Sequence, residues 1–244
     1  MSMVNEHQLE REPRFESRLP RDFQHLRGYT CRILLVDHHE IVRCGLRQIL
    51  SECQGWEVCG EAKDGREAVR LTAQLKPDVV VLDLMLPELN GLEATRQIRR
   101  SQCQTEVLVL SLCETEELIR EALAAGARGY VLKSEPVYQI ISAVEALSHH
   151  KPHFTGIVSR LMLETFLKSE SNQKKRQSVE VLTAREREIV QMLAEGYNNK
   201  TIATHLSISV KTVETHRSTV MRKLDINSIV ALVHYAIRNQ IVAA

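Results

Sequence analysis

Five short apolar runs, separated by stretches of helical periodicity, restrict the first half of this chain to one class of fold. Ile33–Val36, Val79–Leu82 and Val107–Leu110 are continuous and rich in β-branched side chains. Strands buried on both faces of a parallel sheet read this way. Trp56–Cys59 and Gly129–Leu132 are weaker versions of the same run. Between the runs, Ile41, Leu46, Ile49 and Leu50 are expected to share one helix face. Ala68, Leu71 and Leu75 form a second such set, Leu118, Ala122 and Ala125 a third, and a last helix lies near Val137–Leu147. The alternation predicts a doubly wound, five-stranded parallel α/β sheet. In such sheets the functional crevice lies beyond the carboxyl ends of the strands.

The second half reads differently. Residues 152–168 predict an amphipathic helix, with Ile157, Leu161 and Phe166 as its buried stripe. The polar run Ser169–Ser178 follows and reads as a linker. Beyond it the pattern is all helical. Thr183 and Glu186 make a capping box that opens a helix to about Glu195, and Gly196 stops it. A short helix is expected over Asn199–Leu206, a longer one from the Ser207–Ser209 turn through Leu224, and a last one capped by Ser228.

Charge is segregated between the halves. Residues 32–149 carry 13 Lys and Arg against 18 Asp and Glu, whereas residues 182–244 carry 8 against 5. An acidic module joined to a polyanion-binding module has this asymmetry. No apolar stretch approaches the roughly 18 residues needed to cross a bilayer, and the first thirty residues lack the apolar core of a secretory signal. A cytoplasmic location without membrane contact is expected. None of the six cysteines forms a Cys-x-x-Cys pair, so several are expected as small core residues in a reducing compartment. The organisation expected is a flexible extension over 1–30, an α/β domain over 31–150, a linker helix and polar linker over 151–180, and a small all-α domain over 181–244.

The strand ends carry the chemistry. The first ends in Asp37, the third in Asp83, the fourth in Ser111 and the fifth in Lys133, with Tyr130 three residues earlier. One sheet edge therefore gathers two carboxylates, a hydroxyl and an ammonium. An aspartyl phosphate forms when a carboxylate attacks phosphorus, and the two anions repel unless cations stand between them. A hard dication and a lysine ammonium supply that charge.

At these residues the chain resembles a known family. Ile33–Asp37, Leu82–Pro87 with Gly91, Ser111 and Gly129–Lys133 are similar to the motifs of bacterial receiver domains, which have a flavodoxin-like fold. The whole chain resembles the NarL/FixJ family of two-component response regulators. The resemblance implies that Asp83 is the phosphoacceptor and that a cognate histidine kinase is the partner. It implies that Asp37, Asp83 and the Met85 carbonyl hold Mg²⁺. Ser111 and Tyr130 are then the switch residues, and Lys133 contacts the phosphate. One position departs. The family carries a second acid after the first strand, itself a metal ligand, and this chain has His38, followed by His39. An imidazole is a poor Mg²⁺ ligand, so weaker Mg²⁺ binding is expected.

Leu182–Glu186, Ala194–Gly196, Asn199–Ala203, Val210–Arg217 and Met221–Leu224 are similar to the LuxR-type helix-turn-helix. In the long helix, Val213, Val220 and Leu224 are expected to face the core. Lys211, Glu214, Thr215, Ser218 and Arg222 are expected on the opposite face, which a major groove accepts. The resemblance puts Glu214, Thr215 and Ser218 against bases of double-stranded DNA. Lys200, Lys211, Arg217, Arg222 and Lys223 are available for phosphates. It also implies homodimerisation through the last helix. The alternative is a DNA-binding regulator whose receiver is degenerate and serves protein interaction independently of phosphorylation; His38 is the feature that supports it. An enzyme of the haloacid-dehalogenase type also uses an Asp nucleophile on an α/β sheet. It usually carries a second Asp two residues on, where this chain has Met85, so a regulator and not an enzyme is expected.

Overall fold

The computed structural model describes residues 30–102, 104–156, 158–163 and 182–242. The expected extension over 1–29, the run Ser169–Ser178, Ile157 and Phe166 lie outside these residues. The first domain alternates strand and helix: β1 (Cys31–Val36), α1 (Glu40–Ser51), β2 (Trp56–Ala62), α2 (Gly65–Leu75), β3 (Val79–Leu82), α3 (Gly91–Ser101), β4 (Glu106–Ser111), α4 (Glu116–Ala125), β5 (Gly129–Leu132) and α5 (Val137–Ser148). All pairings are parallel, in the order β2-β1-β3-β4-β5 with a two-residue sixth strand, β6 (His153–Phe154), on the β5 edge. The extra strand occupies the start of the segment expected as a helix. The chain pairs briefly with β5 through His153 and Phe154, and residues 158–163 are then helical.

Alternation along the strands builds two cores. Leu34, Val36, Val80, Leu82, Val107 and Val109 point toward α2, α3 and α4, where they meet Ala68, Ala94, Ile98 and Leu118. Ile33, Leu35, Val79, Val81, Leu108 and Leu110 point toward α1 and α5 and meet Leu46, Leu50, Ile140 and Val144. Ile41 does not belong to the buried face of α1, being 82% exposed. Five residues at about 100° each set it about 140° round the helix from Leu46, and Val42 packs in its stead. Of the described cysteines only Cys31 is buried; Cys44 is exposed and Cys53, Cys59 and Cys113 are intermediate.

The second domain comprises α6 (Ala184–Ala194), α7 (Asn199–His205), α8 (Val210–Lys223) and α9 (Ile229–Arg238). The capping box at Thr183 and Glu186 is formed in both directions. Asn198, Ser209 and Ser228 cap the next three helices through their side chains. Leu182, Ile189, Met192, Ile202, Val213, Val220, Leu232 and Ala236 fill a separate small core. Among the described residues no helix is long and apolar enough to cross a membrane.

The loop from β3 to α3 is gripped where it turns. A Cβ on Gly91 would lie 2.2 Å from the Asp83 carbonyl oxygen and 2.6 Å from Leu84 Cα, both backbone atoms. Gly91→Ala therefore cannot be absorbed by a side-chain rotation. It is expected to destabilise the first domain by about 1–3 kcal/mol, as overpacking of a tight site does, with the urea unfolding midpoint as the measurement. An unchanged midpoint would show that the loop has room to move away.

Candidate phosphoacceptor pocket and nucleic-acid interface

Parallel pairing of β1 with β3 brings Asp37 and Asp83 side by side, and the Asp83 amide donates to the Val36 carbonyl at 2.9 Å. Both carboxylates are buried, at 2% and 4% exposure. Between them sits the Lys133 ammonium from the end of β5, 2.5 Å from Asp37 Oδ2 and 3.0 Å from Asp83 Oδ2. Taking two like charges out of water is costly unless a counter-charge is close, and Lys133 supplies it. The structure thus brings together three of the residues expected in the pocket. Met85 follows two positions after Asp83 and is half-buried.

Ser111 and Tyr130 form a second, connected layer. Ser111 is fully buried, and its Oγ accepts from the Cys113 amide at 3.1 Å. The Tyr130 hydroxyl donates to the Cys113 carbonyl at 2.7 Å. Burial, acting against a hydrogen bond with Ser111, pushes the Tyr130 phenol up to about 12. The loop after β4 is therefore tied at one residue to both switch candidates.

The two histidines lie on the open side of the same pocket. His38 Nδ1 is 3.7 Å from Asp83 Oδ2 and 4.0 Å from Asp37 Oδ1, and His39 Nδ1 is 3.2 Å from Asp37 Oδ1. The His39 amide donates to that same Asp37 oxygen at 2.8 Å. Partial burial and the neighbouring His39 push the His38 imidazole below its ordinary value, against the opposing pull of Asp37 and Asp83. In sequence the pair had no evident third partner; the fold supplies two carboxylates.

In the second domain the expected outer face of α8 is outward. Lys211, Glu214, Thr215, Ser218 and Arg222 are all exposed, while Val213 and Val220 are buried and Leu224 packs on the core. Lys200 on α7 is exposed and Arg217 intermediate. Lys223 is exposed too but differs, since its ammonium pairs with Glu186 at 2.7 Å. On α9, Ile229, Val230 and Ile237 stay exposed although Leu232 and Ala236 are buried.

Sequence reasoning missed the contact between the domains. Gln191 on α6 is fully buried. Its Nε2 donates to the Leu86 carbonyl at 2.8 Å and its Oε1 accepts from the Asn90 amide at 2.8 Å. The Glu195 carboxylate accepts from the Glu88 amide at 3.2 Å, and Glu188 receives Arg66 at 3.4 Å and Gln97 at 3.2 Å. The DNA-binding candidate thus holds the loop that leaves Asp83. The available signal was a glutamine inside the apolar run Ile189–Leu193, because a polar side chain there needs a buried partner.

Comparison with known proteins agrees with this geometry. Residues 33–145 match the family model described as response regulator receiver domain, and residues 180–236 the one described as bacterial regulatory proteins, luxR family. The chain is 38% identical over 211 residues to the transcriptional regulatory protein LiaR of Bacillus subtilis, covering 86% of this chain and 99% of that one. A LuxR-family two-component response regulator from Aurantimonas sp. is 36% identical with a TM-score of 0.55, over 57% of this chain and 99% of that chain. The Salmonella typhimurium RcsB response regulator is 26% identical with a TM-score of 0.53, over 85% and 98%. RcsB has been solved in complex with DNA, and as two dimers bound to two parallel DNAs.

The Lys133 contact makes a direct prediction. Lys133→Met leaves Asp37 and Asp83 facing each other without a counter-charge. Stability at neutral pH is expected to fall by about 3–5 kcal/mol, the usual cost of breaking a buried pair on one side. Urea unfolding with and without a divalent cation measures it, and the cation should restore part of the loss. Equal stability of variant and wild type would show that the lysine is not what holds the two carboxylates together.

Proposed function

The chain belongs to the two-component response regulators, transcriptional regulators that join a receiver domain to a LuxR-type DNA-binding domain, and we propose that its switch is phosphoryl transfer to Asp83. The observation that carries this reading is the buried Asp83 carboxylate sharing the Lys133 ammonium with Asp37. The proposed organisation is the receiver over 31–150, a connecting segment over 151–180 and the DNA-binding domain over 181–244.

In this reading an Asp83 oxygen attacks the phosphorus of a phosphohistidine on a partner kinase. The new P–O bond forms as the P–N bond breaks, and the departing histidine takes up a proton from water. A divalent cation, Mg²⁺ on the family expectation, would be held by Asp37, Asp83 and the Met85 carbonyl and would offset the charge of the phosphoryl oxygens. Two carboxylates and a carbonyl fit such an ion; His38 adds no oxygen to the set. Lys133 transfers its ammonium from the carboxylates to a phosphoryl oxygen. Ser111 turns its hydroxyl to another, which shifts Cys113 and with it the Tyr130 contact. The loop after Asp83 shifts too, and Gln191 carries that movement to α6.

The output is DNA binding by α8. Glu214, Thr215 and Ser218 read base edges, and Lys200, Lys211, Arg217 and Arg222 contact phosphates. Lys223 contributes once it leaves Glu186. The exposed apolar residues Ile229, Val230 and Ile237 support pairing of two copies through α9, as suits a two-fold site. The RcsB complexes favour this arrangement. His38 favours a second reading, in which the receiver acts without phosphate as a protein-interaction module.

Mass spectrometry after incubation with a small-molecule phosphodonor and Mg²⁺ separates the two. Wild type is expected to gain one phosphoryl group and Asp83→Ala none. A wild type that stays unmodified yet binds DNA would put the second reading first. For the DNA interface, Lys211→Ala should lower the slope of log affinity against log salt by about 1. Thr215→Ala should change the site selected from randomised duplexes more than it changes non-specific affinity. An unaltered selected site would remove Thr215 from the base-reading set.

A further inference from the structure

We infer that the pocket beside Asp83 is a binding site for a borderline transition-metal dication of the Zn²⁺, Co²⁺ or Ni²⁺ class, ligated by Asp37, His38, His39 and Asp83. The inference rests on the reading of Asp37 and Asp83 as cation ligands and specifies which cation the full donor set selects.

The geometry comes first. One ligand atom from each of the four residues lies within 4.8 Å of every other. The separations are 3.2 Å for His39 to Asp37, 3.7 Å for His38 to Asp83 and 4.0 Å for His38 to Asp37. Four ligands at about 2.1 Å around a tetrahedral ion stand about 3.4 Å apart. Small rotations of two partly exposed imidazoles therefore close the set, with no strand moved. Asp37 divides its oxygens in a compatible way, whereas Asp83 Oδ2 faces both Lys133 and His38. Lys133 contacts Oδ2 of Asp37, whereas both imidazoles face Asp37 Oδ1. A metal ion on the histidine side can use Oδ1 while the lysine keeps Oδ2.

The chemistry then sets the class. Mg²⁺ takes oxygen ligands in octahedral geometry and keeps its waters. Imidazole nitrogen favours later first-row ions, and affinity rises along the series toward Cu²⁺. With His38 where a third carboxylate would stand, the pocket loses a unit of negative charge that holds a hard ion and gains a nitrogen that holds a softer one. His39 is already anchored, because its own amide is bonded to the Asp37 oxygen that its ring faces. The rings of His38 and His39 lie with centroids 3.6 Å apart, and their ligand nitrogens lie within 4.8 Å of each other.

The test is equilibrium dialysis of the tag-free full chain at neutral pH against Zn²⁺, Co²⁺ and Mg²⁺ separately. Wild type, His38→Ala, His38→Asp and Asp83→Asn are compared, with circular dichroism to confirm that each is folded. A carboxylate pair alone also favours later ions, so the decisive quantity is the Zn²⁺-to-Mg²⁺ affinity ratio across variants. His38→Ala should weaken Zn²⁺ and Co²⁺ binding at least about tenfold, the lower end of what ligand-shell changes cost, and leave Mg²⁺ nearly unchanged. His38→Asp should raise Mg²⁺ affinity and lower the ratio by at least the same factor. The visible absorption of bound Co²⁺ is strong for a four-coordinate ion and weak for a six-coordinate one, and it should weaken in both His38 variants. A ratio that is the same in wild type and both His38 variants overturns the inference. The underlying cation reading fails separately, if Asp83→Asn weakens none of the three ions.

Discussion

Two buried carboxylates at neighbouring strand ends cannot remain charged in a protein interior unless a cation stands between them, and Lys133 is that cation. The arrangement draws on three strands. β1 delivers Asp37, β3 delivers Asp83, and β5, separated from β3 by β4, delivers the ammonium across the edge of the sheet. Parallel register is what lets all three arrive at one level. The pocket is therefore electrostatically balanced by an internal ammonium. In the proposed switch a dication would take the place of that ammonium beside the carboxylates and leave Lys133 for a phosphoryl oxygen.

The loop that leaves Asp83 is held from both domains. Gly91 lets α3 begin almost against the Asp83 carbonyl, so the loop has little slack. Gln191 then bonds the loop at two backbone groups, Leu86 and Asn90. A glutamine amide matched at both ends and sealed from water is sensitive to displacement, since a buried polar group that loses its partner costs about 1–3 kcal/mol. The Glu188–Arg66 ion pair and the 3.6 Å approach of His205 to Glu88 lie in the same contact. The outer face of α8 meanwhile remains exposed.

Much of this was legible in the sequence, and the parts that were not have physical reasons. The strand runs, the capping box at Thr183 and the polar face of α8 are local patterns with fixed periods, and they appear where expected. Asp37, Asp83 and Lys133 were recognisable because strand ends in a parallel sheet converge. Ile41 misled because a hydrophobic residue near a helix start is easily counted into the wrong stripe. β6 was hidden because two residues show no periodicity. Gln191 and the Lys223–Glu186 pair depend on tertiary neighbours that no local pattern specifies. That Asp83 stands beside His38 was not legible either, because the contact joins the ends of β1 and β3.

In the proposed switch the Asp83 pocket and the DNA-binding domain are coupled through the loop held by Gln191. Amide hydrogen exchange on the full chain tests it most directly, with and without a divalent cation and beryllofluoride as a phosphoryl mimic. The account predicts altered exchange at the Asn90 and Glu88 amides together with the α6 segment around Gln191, and loss of the α6 response in Gln191→Ala. A response confined to residues 31–150, with α6 unchanged in wild type, would contradict it.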